Sequence, residues 1–271
     1  MTKIAIVANN KEETQNVYKK LHQAIIASDA LKIDNDNPDI VISIGGDGTL
    51  MSAFHKYFNL IDHVGFLGLH TGHLGFYTWH DLPIEKIIST LSQPKIPMTP
   101  DPLVQATVTL ENGKKLILTA LNEITFRRSI QTIKADVYIN KDLFEKFNGD
   151  GLCVSTPTGS TAYNKSLGGA IVSPTLRAIQ MSEMSSINNQ VYRTISSSIV
   201  LGDRESITVI PKPGLEDYYF IGVDGKEFKH KSPIKEIRYV VSPKSAYFVN
   251  FRKPAFWLRV HQSFIGSENN D

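Results

Sequence analysis

Two hydrophobic rhythms alternate along the first part of the chain. Ile4 to Ala8 is a short apolar run. After a polar turn, Val17, Leu21, Ala24 and Ile25 recur at the spacing of an amphipathic helix. Ile40-Val41-Ile42-Ser43-Ile44 is continuously apolar apart from one serine, the pattern of a strand covered on both faces. Gly45, Gly46 and Gly48 break that strand, and Leu50, Ala53, Phe54 and Tyr57 predict a second helix. A third strand is predicted over Val64 to Leu69. A third helix follows from Pro83, a residue suited to a first helical turn, with Ile84, Ile87, Ile88 and Leu91 on its apolar face. This alternation predicts an α/β domain built on a parallel sheet.

At Gln93 to Pro102 the texture changes. Pro94, Pro97, Pro100 and Pro102 predict a stiff, extended connector, so the domain boundary is expected here. Short β-rich runs come next: Val104 to Leu110, Lys115 to Ala120 and Ala135 to Ile139. Asn112-Gly113 supplies a hairpin turn between the first two. Ile207 to Ile210, Tyr218 to Val223, Ile237 to Val241 and Tyr247 to Phe251 read as further strands, and Leu176 to Met184 as a helical interlude. So many short strands need a shared core, which predicts a β-sandwich. The expected division is 1–98 for the α/β domain and 99–254 for the sandwich. Residues 255–271 form a tail whose apolar run Phe256 to His261 packs back on the N-terminal domain or on a neighbouring subunit.

Composition narrows the function classes. Among 271 residues, 41% are hydrophobic and 21% charged, enough for a core under a soluble surface. A net charge of +2 is too even for a nucleic-acid or membrane-surface protein, which carries a concentrated basic face. No signal-peptide pattern opens the chain, and no apolar stretch has the length of a membrane span. The single cysteine, Cys153, sits in Leu152-Cys153-Val154 and reads as a small buried residue in a reducing compartment. These features predict a cytoplasmic protein.

Three segments carry candidate chemistry. Gly45-Gly46-Asp47-Gly48-Thr49 stands between a buried strand and a helix, where the backbone turns tightly and the helix start favours phosphate. Asp47 suits one of three tasks: holding a Mg²⁺ carried by a nucleotide, accepting a proton from an attacking hydroxyl, or capping the helix. Ser155-Thr156-Pro157-Thr158-Gly159-Ser160-Thr161-Ala162-Tyr163-Asn164, preceded by Gly149-Asp150-Gly151, offers small donors and acceptors beside one aromatic, an inventory that fits a purine and its ribose. Leu121-Asn122-Glu123 follows a β run. Asn122 can present a donor and an acceptor to a base edge, and Glu123 can accept from ribose hydroxyls, although a plain strand-end turn reads the same way. His70 and His73 form an H-x-x-H with no third ligand nearby, so no zinc site is expected. Arg127-Arg128 and the basic residues near the C-terminus read as solvated surface.

Taken together, these segments resemble the NAD kinase family over nearly the whole chain, with Gly72-His73-Leu74-Gly75-Phe76 and Asp224-Gly225 as weaker supports. The glycine loop is shared with phosphofructokinases and with diacylglycerol and sphingosine kinases, whereas the Thr156 to Tyr163 stretch is specific to NAD kinases. The resemblance implies an N-terminal α/β domain, a C-terminal β-sandwich, NAD bound between them, ATP with Mg²⁺ as donor and, in some bacterial members, polyphosphate. It implies a homo-oligomer, dimer or tetramer, in which neighbouring subunits complete the site. Asp47 would be the base facing the 2′-hydroxyl, flanked by Gly46 and Gly48. Asn122, Thr158, Thr161, Ala162 and Tyr163 would surround the adenosine, Glu123 the ribose, and Asp150 and Ser166 would contact the dinucleotide; Asn164, Lys165, Asn148 and Ser185 complete the candidate set. NAD and ATP would be the substrates, NADP the product, with no protein-held metal.

Three positions depart from the family pattern. Asn148 replaces a common basic residue, Ser185 a common alanine and Lys226 a frequent glutamine. At Asn148 a neutral side chain is expected to hold the product's extra phosphate less tightly than an arginine would. Two rival readings are a lipid or sugar kinase using the same glycine loop, which the Ser155 to Tyr163 stretch disfavours, and a non-catalytic NADP-binding sensor, which the retained Asp47 disfavours.

Overall fold

A computed structural model describes residues 1–71, 75–79, 82–128, 130–212, 219–230, 232–251 and 255–266. The chain divides into two units: Met1–Asp101 with Lys244–Asp271, and Pro102–Pro243. Gly72, His73 and Leu74 of the supporting motif lie outside the described residues, as does Tyr218.

The first unit opens with β1 (Thr2–Ala8), α1 (Glu12–Ile26), β2 (Leu31–Ile33), β3 (Ile40–Ile44), α2 (Asp47–Lys56), β4 (Gly65–Leu69), β5 (Thr78–Trp79) and α3 (Ile84–Leu91). Its parallel sheet runs β2-β1-β3-β4, and β5 also runs parallel to β4. Every residue of β3 and β4 is buried, which is why both read as unbroken apolar runs. Ile4, Ile42 and Leu67 meet Leu21 and Ile25 of α1 and Ile87 and Leu91 of α3 in one core. Each such aliphatic side chain contributes ~1.5–3 kcal/mol on burial.

The second unit holds most of β6 (Met98–Leu110), then β7 (Lys115–Ala120), β8 (Glu123–Arg128), β9 (Ile133–Ile139), β10 (Asp142–Gly149) and β11 (Gly151–Ser155). A 3₁₀ turn (Thr158–Thr161) and the one-turn helix α4 (Tyr163–Ser166) come next. The rest is β12 (Ala178–Met184), β13 (Ile199–Gly202), β14 (Ser206–Pro211), β15 (Tyr219–Val223), β16 (Lys226–Phe228) and the first part of β17 (Ile234–Val249). One sheet runs β13-β12-β11-β8-β15-β16; the other pairs β10-β9-β14-β17, and β6 pairs with β7. All these pairings are antiparallel between neighbours. Val104, Phe126, Val137, Phe147, Val154, Ile179, Ile221 and Tyr239 from both sheets share one core, so the unit is a β-sandwich.

The structure corrects three expectations. Leu176 to Met184 is not helical, because Ile179 and Met181 alternate into the core while Gln180 and Ser182 face the other way. There Gln180 bonds Ala170 and Ser182 bonds the Ser198 hydroxyl. The prolines after Met98 lie inside β6, extended but part of a strand, and the first division falls between Asp101 and Pro102. The two strands read near the C-terminus are one, β17, continuous through Pro243. Pro243 stands beyond Val240, the last β17 residue paired with β14, so its missing N–H breaks no bond of that ladder. Residues Lys244 onward belong to the first unit, where Tyr247 and Phe248 pair with Gly65 and Phe66 of β4. In that unit α5 (Ala255–Phe264) stacks Phe264 on Phe76, with ring centroids 5.3 Å apart.

Candidate active site

In the first unit the glycine loop leads straight into α2, whose N-cap is Gly46 and whose first residue is Asp47. The amides at this helix start have no acceptor one turn earlier within the helix. Asp47 does not cap its own helix. Its carboxylate instead accepts the Phe76 N–H at 2.8 Å on Oδ2 and the Tyr77 N–H at 3.2 Å on Oδ1, with the Thr78 hydroxyl at 3.4 Å. The approach requires glycine at 75, since a Cβ there would collide with Asp47 Oδ1. Gly46 is half-buried and Gly48 exposed, leaving this end of the helix open. His70 Nδ1 lies 2.9 Å from the Thr78 hydroxyl, which ties it to the same segment.

A basic residue that sequence reasoning assigned to solvent stands here. Arg259 of α5 donates to the Phe76 carbonyl and places its guanidinium 4.8 Å from the centroid of Trp79. Burial lowers its pKa, and the charges of Asp47 and Asp101 act in the opposite sense. No local sequence signal marks it, because its role depends on how α5 packs within the unit.

In the second unit Leu121-Asn122-Glu123 is held from both sides. The Thr156 hydroxyl donates to the Leu121 carbonyl at 2.6 Å, and the Thr156 N–H to the Asn122 carbonyl at 2.8 Å. Asp224 accepts the N–H groups of Leu121, Asn122 and Glu123 at 3.0, 2.7 and 3.3 Å. Gly159 passes so close to the Asn122 carbonyl that any Cβ would overlap it. Thr158 and Thr161, in the same 3₁₀ turn, are buried, and the Thr161 hydroxyl donates to the Thr158 carbonyl at 3.1 Å. The Ser155 to Tyr163 stretch is therefore a locked turn, since the Ser160 and Thr161 hydroxyls donate to its own backbone and the Thr156 hydroxyl ties it to Leu121.

Met184 links this turn to the remaining candidates. The Tyr163 hydroxyl lies 3.9 Å from its sulfur, and its carbonyl accepts the Asp150 N–H at 2.8 Å. Asp150 and Ser185 are exposed beside it, Ser185 with a left-handed φ of 47°. Asn148 is buried; its carbonyl accepts the Ile187 N–H, and its Oδ1 has no partner among the described residues. Around Tyr163, Ala162 and Lys165 are half-buried and Ser166 is exposed. Asn164 is fully buried against Gly169, so its side chain faces the protein interior rather than an open surface.

Glu123 and Tyr163 line a cavity of about 220 Å³, together with Thr125, Arg127, Gly222 and Lys226. Glu123 is 7% exposed, and its Oε2 has no hydrogen-bond partner among the described residues. Burial, reinforced by the neighbouring Asp224 charge, pushes Glu123 up to about 7. Arg128, also expected at the surface, is buried and bonds Gln131 and the Thr132 carbonyl, whereas Arg127 is exposed. Cys153 is buried, and burial raises its thiol pKa, so it is not a nucleophile. Among the described residues no three His, Cys, Asp or Glu side chains group to hold a metal, and no helix is long and apolar enough to cross a membrane.

Residues 121–251 match the family described as the ATP-NAD kinase C-terminal domain. Curated relatives include the NAD kinase of Lactobacillus johnsonii, 51% identical with 97% of each chain covered. That of Streptococcus mutans is 46% identical over 97% of this chain and 95% of its own. Among solved structures, yeast NADH kinase complexed with NADH superposes with a TM-score of 0.81 at 18% identity, covering 100% of this chain and 89% of that one. An NAD kinase from Archaeoglobus fulgidus in complex with ATP gives 0.73 at 21% identity, covering 96% and 98%. These two likenesses are of fold.

Proposed function

The chain belongs to the NAD kinase family, and on that premise we propose that it phosphorylates the adenosine-ribose 2′-hydroxyl of NAD to give NADP, with ATP as donor. The observation that carries the reading is identity near one half, over nearly the full length, to enzymes named for this activity. The side chains proposed to act, Asp47, Asn122, Glu123 and Tyr163, are all present in this chain.

Phosphoryl transfer needs positioning and charge neutralisation more than covalent participation by the protein. Asn122, Thr158, Thr161, Ala162 and Tyr163 hold the adenosine, and Glu123 bonds a ribose hydroxyl through the oxygen that lacks a protein partner. Asp47 orients the 2′-hydroxyl and accepts its proton as the new bond to the γ-phosphorus forms and the bond from that phosphorus to ADP breaks, ADP leaving, while the open helix start after Gly46 receives donor phosphate. With the Phe76 N–H on one carboxylate oxygen and the Tyr77 N–H on the other, each oxygen of Asp47 still has lone-pair capacity, and one can take that proton. Mg²⁺ fits as an ion held by phosphate oxygens, because Asp47 already accepts bonds from donors and no three His, Cys, Asp or Glu side chains group to hold a metal among the described residues. Bound there, the ion would neutralise charge on the phosphates.

The reading extends to a cytoplasmic homotetramer or dimer in which Asp150 and Ser185, both exposed, meet a neighbouring subunit's dinucleotide. It includes inorganic polyphosphate as an alternative donor. Purified protein incubated with NAD and MgATP, or with polyphosphate in place of ATP, tests the proposal when NADP is read with an NADP-specific dehydrogenase. NADP formation dependent on NAD and on a donor is the expected result. Its absence with both donors overturns the assignment.

A further inference from the structure

Asp224 has no partner role assigned by the sequence motifs, yet it makes the densest set of bonds at the adenosine segment. It sits in the turn between β15 and β16 with a left-handed φ of 48°, a conformation that aspartate, asparagine and glycine tolerate best. Its own N–H donates to the Glu123 carbonyl at 3.0 Å, so backbone and side chain grip the same segment. Oδ1 accepts from Asn122 and Glu123, Oδ2 from Leu121. Three N–H groups converging on one carboxylate form a charge-assisted clamp, stronger than neutral turn bonds.

We propose that Asp224 is a positioning residue for NAD: its carboxylate fixes Leu121-Asn122-Glu123 so that the Asn122 and Glu123 side chains meet the dinucleotide. This rests on the proposed reading of the site. The clamp has a second consequence, because a fixed negative charge beside Glu123 favours the protonated carboxyl, in addition to the effect of burial. The other ionisable groups around Glu123 are Cys153 on β11, Arg127 on β8, Tyr163 on α4, and Lys226 and Glu227 on β16. Arg127 and Lys226 are exposed at the cavity and solvent-screened, and Cys153 stays neutral in its buried position. Asp224 is thus the charge that is both close and fixed.

Two variants separate the clamp from simple folding. Asp224→Gly removes the carboxylate at a position whose backbone suits glycine. Asp224→Asn keeps one acceptor oxygen and removes the charge. In Asp224→Gly the KM for NAD should rise about tenfold or more while the KM for ATP stays within about threefold, since the bonds lost serve the dinucleotide. Asp224→Asn should recover most of that loss. In both, the pH at which the KM for NAD changes should move lower than in the wild type, because the charge that helps burial raise Glu123 is gone. Hydrogen exchange at the Leu121, Asn122 and Glu123 amides should quicken in the ligand-free Asp224→Gly protein. That readout needs no activity, so it judges the clamp even if the kinase reading fails. Unchanged exchange at these amides overturns the clamp. Faster exchange with an unaltered KM for NAD and an unmoved pH midpoint overturns the positioning role.

Discussion

The Phe76 N–H donates to Asp47 Oδ2 at 2.8 Å, so the proposed proton acceptor also pins the bend that leads into β5. Its two functions are read by different measurements in Asp47→Asn. One amide end of asparagine must face an N–H donor, so a bond to Phe76 or Tyr77 is lost at about 1 kcal/mol of stability. The proton acceptor goes as well, and turnover should drop by about two to four orders of magnitude while NAD affinity changes far less. Steady-state rates, NAD titration and melting of the same protein check this. A lower melting temperature with near-normal turnover leaves Asp47 a purely structural residue.

Asn122 is held through its backbone, by Thr156 and Asp224, so its side chain can be shortened without releasing the segment. Asn122→Ala should weaken NAD binding by ~1–3 kcal/mol and leave a nicotinamide mononucleotide fragment nearly unaffected. Calorimetric titration of both ligands tests it. Equal weakening of the two assigns Asn122 a structural role.

Gly159→Ala puts a methyl group into the Asn122 carbonyl, where the nearest atoms are all Asn122 backbone and no flexible side chain can yield. Overpacking of this kind costs ~1–3 kcal/mol. The variant should melt lower and bind NAD more weakly, whereas Gly48→Ala, with open space around its Cβ, should keep wild-type stability. Thermal melts of the pair decide the point, and equal melting temperatures contradict the close approach.

The parallel sheet was legible because β3 and β4 are buried on both faces and carry no period that competes with a strand. β12 was not, since Leu176 and Ile179, and Met181 and Met184, each stand three apart as on a helix face, and the bonding of Gln180 and Ser182 is unseen in the sequence. At the site, Asn122, Glu123 and Tyr163 could be singled out because their motifs are local. Asp224 and Arg259 act across 102 and 183 positions of sequence, on Asn122 and Phe76, and no spacing rule reports contacts that only tertiary packing creates.

Acid–base behaviour of the fold follows from Glu123 and Glu145. Burial and the Asp224 charge raise Glu123 from 4.5 to about 7, so the folded chain holds that proton more tightly than the unfolded one. Stability contributed by Glu123 is therefore full below about pH 4.5, falls as pH rises to about 7, and is level above, a loss on the order of 3 kcal/mol at most. Burial raises Glu145 as well, helped by the facing Glu183 and opposed by the Ile195 N–H, and it acts with the same sign. Glu123→Gln and Glu145→Gln should each flatten the decline between pH 5 and pH 8 in urea melts. An undiminished slope in both variants contradicts the assignment.

Transfer of label from [γ-³²P]ATP to NAD, set against an NAD analogue lacking the adenosine 2′-hydroxyl, tests the proposed reaction at the atom that reacts. NAD should gain one phosphate, placed on the adenosine 2′-oxygen by NMR, and the analogue should gain none. Label on the analogue, or on any other oxygen of NAD, contradicts the account.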